Sequence, residues 1–153
     1  MQDLKVIMME HPFLKGMGPR LLNMLDEYSS LQEFESGKFI FRQNQRASTC
    51  YLIVEGKVEL EWFSANSGPL VLQSIQSGEV LGWSWLLPPY EWRMDARAVE
   101  YTRAIVMDGE LVRQCMQADD ELGYELLQRF LVVLAARLDA TRLELLSLYG
   151  AHT

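Results

Sequence analysis

The chain has 153 residues, 49% of them hydrophobic and 23% charged, and a formal net charge of −7. This composition suits one globular domain with a full core and excludes a disordered chain. Its Lys and Arg residues are scattered, and the acidic excess repels nucleic acid and anionic membrane, so neither direct DNA binding nor membrane association is expected.

The opening MQDLKVIMME lacks the basic start and apolar run of a signal peptide. No stretch approaches the roughly 18 uncharged apolar residues of a membrane span. A cytoplasmic protein is expected, with Cys50 and Cys115 as reduced, buried thiols. Residues 11–32 are predicted helical: Leu14, Met17, Leu21, Leu22, Met24 and Leu25 recur at near-helical spacing and Pro12 suits a helix start. Over 35–108 short β-rich runs alternate with turn residues, among them KFIFRQ, TCYLIVEG, KVELEWF and PLVLQSI, with Gly37, Gly56, Gly68 and Gly78 as punctuation. Such spacing predicts an antiparallel sandwich or barrel. Alternation places Ala96 and Ala98 on one strand face and Arg97 on the other, as an anion ligand or in a structural salt bridge.

The chain turns helical again at about 109, with a short piece over 109–117 and a long helix from about 119 to 149. Leu127, Leu131, Leu134, Leu138, Thr141, Leu145 and Leu148 follow steps of four and three along it. This is a heptad seam with one polar interruption. Leu126, Phe130, Val133, Leu143 and Leu146 widen the stripe, so the helix is expected both to pack on its own sheet and to pair with a second copy. Gly150 is a suitable C-cap, followed by Ala151, His152 and Thr153. The fold class is α+β, mainly β, in one domain over residues 1–153: an antiparallel roll flanked by an N-terminal helix and a long C-terminal helix.

In that order of elements, HPFLKGMGPRLLNML, FESGKFIFRQNQRASTCYLIVEGKVELEW and SGEVLGWSWL resemble the cyclic-nucleotide-binding domain of the catabolite-activator (CRP/FNR) superfamily. The resemblance covers about residues 11–148. It implies a bacterial signalling module with a β-roll, a phosphate-binding cassette after the strand at 80, and a dimer helix. Members that act on transcription continue into a helix-turn-helix domain, which is expected to be absent here. Asn44 stands where the family prefers glycine, and asparagine tolerates the positive φ needed there.

The cassette departs further. The family places a glycine where backbone meets the cyclic phosphate, a glutamate on the ribose hydroxyl and an arginine on the phosphate. Gly82 is kept, but Trp83 stands at the glutamate position, with Ser84 next, and an indole N–H is a donor only. Counted from Gly82, the phosphate arginine falls on Arg93; counted back from the following strand, the position holds Trp92. Asp95 is a poor neighbour for an anion, and pairs with Arg93 or Arg97 on this reading. Three readings stay open. The segment 82–98 holds another small anionic ligand through Ser84, the amides after Gly82 and Arg93, with Trp83 or Trp85 stacking. Or its own side chains fill it and the module is an adaptor docking a protein partner. Or it binds a cyclic nucleotide in altered geometry. Trp85 and Trp92 are expected to pack between loop and sheet. Pro88-Pro89 is expected to stiffen the loop and end a short helix, a cis bond or a docking corner being the sharper alternatives. Thr141 matches, by its position after Leu138, the polar residue that reaches the purine in cyclic-AMP-responsive members; Arg142 fits the next position poorly.

An enzyme is not expected. His11 and His152 lie near opposite ends, which leaves no histidine metal site and no Ser-His or Cys-His pair. There is no Walker loop, dinucleotide glycine run or CxxC. Glu59 and Glu61 read as a solvated strand face, and Asp119, Asp120 and Glu121 as a helix start.

Overall fold

The computed structural model describes residues 3–66 and 68–150, and falls into two compact units, Met1–Cys115 and Met116–Thr153. His152 lies outside the described residues.

The single helix expected over 11–32 is replaced by two helices and a strand. Asp3 caps α1 (Leu4–Glu10), accepting from the Lys5 amide. His11 then turns extended, with φ −66° and ψ 129°, so Pro12 follows a helix end instead of opening a helix. Pro19 supplies the helix start, at the first turn of α2 (Pro19–Asp26). The apolar spacing read as one helix comes from both sides of this break: Leu14 and Met17 are buried in the turn, and Leu21, Leu22 and Leu25 on α2. The Ser29 hydroxyl donates to the Leu25 carbonyl at 2.6 Å and closes α2. The next residues form a strand.

The roll therefore begins at β1 (Ser29–Phe34), six residues before the expected start. It continues through β2 (Phe39–Phe41), β3 (Thr49–Glu55), β4 (Lys57–Ser64), β5 (Gly68–Gln76), β6 (Val80–Leu81), β7 (Asp95–Ala98) and β8 (Thr102–Asp108). Two four-stranded antiparallel sheets result, ordered β1-β8-β3-β6 and β2-β7-β4-β5. Leu52, Ile53, Val58, Ile75, Leu81, Ala96, Ala98 and Ile105 are fully buried in the core. Ala96 and Ala98 do share the inner face. Asn44 has φ 72°, as its turn position requires.

Two helices follow. Asp108 caps α3 (Gly109–Ala118) by accepting from the Leu111 amide, and Asp119 caps α4 (Asp120–Gly150) by accepting from the Leu122 amide. Within α4, Leu122, Leu126 and Phe130 are buried. Of the seam residues, Leu134 is half-buried and Leu127, Leu131, Leu138, Leu145 and Leu148 are exposed. No described helix is long and apolar enough to cross a membrane. No group of three or more potential metal ligands gathers among the described residues.

Candidate functional site: the segment between β6 and β7

The segment from Gly82 to Met94 carries the chain from one sheet to the other. The helix expected in it is absent: residues 84–89 form turns, closed by the Leu86 amide on the Trp83 carbonyl and the Tyr90 amide on the Leu87 carbonyl, both at 2.9 Å. With no helix there is no cluster of N-terminal amides for an anion. Pro88-Pro89 is cis. Residues 90–92 then run beside 44–47, joined by Ala47 N–H to Tyr90 O, Trp92 N–H to Gln45 O and Asn44 N–H to Trp92 O, at 2.7–2.9 Å.

This ribbon decides which side chain faces Gly82. Gly82 has φ 78°, open to glycine and costly for other residues. A Cβ built there would lie 2.7 Å from the Trp92 ring. The indole thus lies directly on the backbone that the family resemblance assigns to a phosphate. Trp92 is 4% exposed and stacks on Phe41, centroids 3.7 Å apart and planes 7° off parallel, with Tyr51 beyond. Of the two ways of counting the cassette, Trp92 occupies the inner position.

Arg93 is carried outward. It is exposed, makes no ion pair among the described residues, and lines a surface cavity of 210 Å³. Asp95 pairs with neither expected arginine. It is buried, accepting from Arg42 Nε at 3.2 Å and the Gln43 amide at 2.7 Å. Arg97 is held by Glu61, with Nη2 at 2.7 Å and Nε at 2.9 Å, and lies 3.8 Å from Glu59. Glu61, expected in solvent, is buried: it stands on the Arg97 face of the sheet, paired in register with the buried Asp95, and the Arg97 guanidinium covers it. Ser84 is half-buried in the turn, as is Trp83. Thr141 is exposed on α4, its hydroxyl donating to the Arg137 carbonyl at 2.9 Å, a bond helical threonines commonly make.

Trp85 is 1% exposed, and a Cβ on Gly109 would lie 3.1 Å from its ring. One contributor was invisible to sequence reasoning: Arg113 of α3. It donates to the Trp85 carbonyl at 2.6 Å and lays its guanidinium 3.8 Å over the Tyr90 ring. Tyr90 has φ 57°, unusual for a bulky residue, and is held by its carbonyl on the Ala47 amide and by this cation over its ring. Among titratable groups, His11 is buried with its Nε2 2.8 Å from the Ile53 carbonyl; its Nδ1 accepts from the Phe13 amide at 3.1 Å. The Nδ1 acceptor leaves the proton on Nε2, so the ring is neutral, and burial holds its pKa below the usual histidine value.

The sequence profile of the cyclic nucleotide-binding domain matches residues 31–119, from β1 to the end of α3. The chain belongs to the cyclic nucleotide-binding domain family. Solved structures place it with domains of the CRP/FNR type. A chain from Geobacter metallireducens GS-15, provisionally named a cyclic nucleotide-binding protein, superposes with a TM-score of 0.79 at 26% identity, covering 90% of this chain and 99% of that one. The catabolite activator protein of Thermus thermophilus gives a TM-score of 0.69 at 26% identity, covering 88% of this chain and 61% of that one. In sequence, the chain is 27% identical over 97 residues to a Rhodopseudomonas palustris protein provisionally named a potassium channel protein. That match takes in 63% of this chain and 23% of the other, so the chain spans under a quarter of this relative's length.

Proposed function

We propose that this cyclic nucleotide-binding domain is a regulatory module whose cassette is occupied by its own Trp92 and which acts through a protein partner. The observation that carries the reading is the contact of Trp92 with Gly82. A ligand phosphate and the indole need the same backbone, and the indole is already seated on a 3.7 Å stack. The chemistry around it agrees. The buried polar group at the segment's end is a carboxylate, Asp95, paired with Arg42. Of the other cations near the cassette, Arg93 is turned outward, Arg97 is neutralised by acids and Arg113 is engaged by the Trp85 carbonyl and the Tyr90 ring. Introducing a phosphate would require displacing a packed ring and approaching a buried anion, both unfavourable. The exposed leucines of the α4 seam support pairing with a second copy.

A thermal-shift screen of the purified chain against cyclic AMP, cyclic GMP, other nucleotides and small anionic metabolites tests this. Ligand at a hundredfold its dissociation constant stabilises by about 2.7 kcal/mol, a shift of several degrees. The reading expects none at millimolar concentration. A clear shift that vanishes in Arg93→Ala would overturn it in favour of a sensor. Sedimentation equilibrium tests the seam: Leu131→Glu with Leu138→Glu should convert a dimer to a monomer.

A further inference from the structure

The cavity beside Arg93 lies between the cassette and the β4–β5 hairpin. Pro89, Glu91, Trp92 and Arg93 form one wall and Asn44 another; Trp62 of β4 contributes an indole that is 43% exposed. Trp62 pairs across the hairpin with Leu70, and the hairpin also leaves Phe63, Val71 and Leu72 about half exposed. An acidic chain that exposes a tryptophan with a leucine paired to it, beside an arginine that makes no ion pair among the described residues, carries the composition of a protein-binding hot spot.

The size and charge of the cavity select its occupant. At 210 Å³ it is smaller than the roughly 300–1,000 Å³ of sites that enclose a nucleotide-sized ligand, and suits one large side chain. Its lining is dipolar: Arg93 offers donors and Glu91 accepts. An indole N–H or phenol O–H satisfies Glu91, and a carboxylate satisfies Arg93. Trp62 and Pro89 supply flat apolar faces for a ring. We propose that this cavity is the docking point for an extended segment of a partner protein that presents a Trp or Tyr beside an Asp or Glu. The ring enters against Trp62 and the carboxylate pairs with Arg93. This rests on the reading that the module acts through a partner, and names the surface that does so.

The test pans a phage-displayed random dodecapeptide library against the purified chain, then measures the enriched peptides by fluorescence polarisation. Peptides carrying an aromatic residue adjacent to an acid should be enriched. Trp62→Ala should weaken their binding by about thirtyfold, as loss of a hot-spot aromatic does, and Arg93→Glu by about fivefold or more. A peptide with Lys in place of its acid should regain affinity for Arg93→Glu. Both side chains are exposed, so both variants should melt with the parent. Enriched peptides indifferent to Trp62 and Arg93 overturn this site while leaving the partner reading standing. Absence of any enriched peptide overturns the site as well. A nucleotide-induced thermal shift instead defeats the underlying reading.

Discussion

Replacing Trp92 by alanine is the sharpest perturbation of the structure described here. The side chain is 4% exposed and sits between Phe41 and the Gly82 backbone. A buried tryptophan removes about 150–250 Å² from water, worth about 4–6 kcal/mol at 25 cal/mol per Å² as an upper bound. Large-to-small replacements of buried aromatics cost about 3–5 kcal/mol, and the stack with Phe41 contributes about 1 kcal/mol of that. For a chain of this length each kcal/mol lowers the melting temperature by about 2–4 °C, so Trp92→Ala should melt about 10 °C below the parent. Urea unfolding followed by circular dichroism measures the same loss. The vacated volume is apolar and ring-shaped, and such cavities bind small aromatics. Millimolar indole should therefore restore several degrees to Trp92→Ala and none to the parent. A loss under about 1 kcal/mol, with no response to indole, would refute the packing argument.

Gly82→Ala combines a φ of 78° with a Cβ 2.7 Å from the Trp92 ring, so it should cost at least about 2 kcal/mol in chemical unfolding. Arg113→Met removes a hydrogen bond to the Trp85 carbonyl and the cation over Tyr90; about 1–2 kcal/mol should be lost, with faster amide exchange at Ala47. His11 gives a pH signature. Its folded pKa lies below 6.5, chiefly through burial, which outweighs the raising effect of the Ile53 hydrogen bond. As pH falls below 6.5 the unfolded chain takes up the proton first, so this contribution is complete above pH 6.5 and is lost on acidification until the folded ring also titrates. Melting curves from pH 7.5 to 5 should show that decline, and His11→Asn should flatten it. Burial pushes the Cys50 thiol up to about 12, so a thiol-reactive dye should leave it untouched in the native chain and modify it in urea.

Much of the roll was legible because it is written in local pattern. Alternation marked the strands of 38–108, the heptad marked α4, and Asn44 announced its own φ. The failures share a cause. The apolar residues of 14–25 have helical spacing, yet the break at His11–Gly18 is made by turn geometry, and Ser29–Phe34 becomes a strand because β8 is there to pair with it. Glu61 reads as solvent-facing because the residue that covers it, Arg97, lies 36 positions along the chain and is brought beside it by the pairing of β4 with β7. In the cassette, the position of the segment was clear from Gly82 onward, but its chemistry depends on partners far along the chain. Phe41 lies 51 residues before Trp92, and Arg42 lies 53 residues before Asp95; the pairing of β2 with β7 brings both together. Arg113 looked like any polar residue of an amphipathic helix. No spacing rule relates it to Trp85 and Tyr90.

Equilibrium dialysis of the purified chain against labelled cyclic AMP and cyclic GMP, up to millimolar concentration, addresses the central claim most directly. With Trp92 seated on Gly82, neither nucleotide should be retained above the level of a non-binding control protein. Saturable retention at about one nucleotide per chain would mean that the ring leaves its stack for a ligand, and would contradict the account.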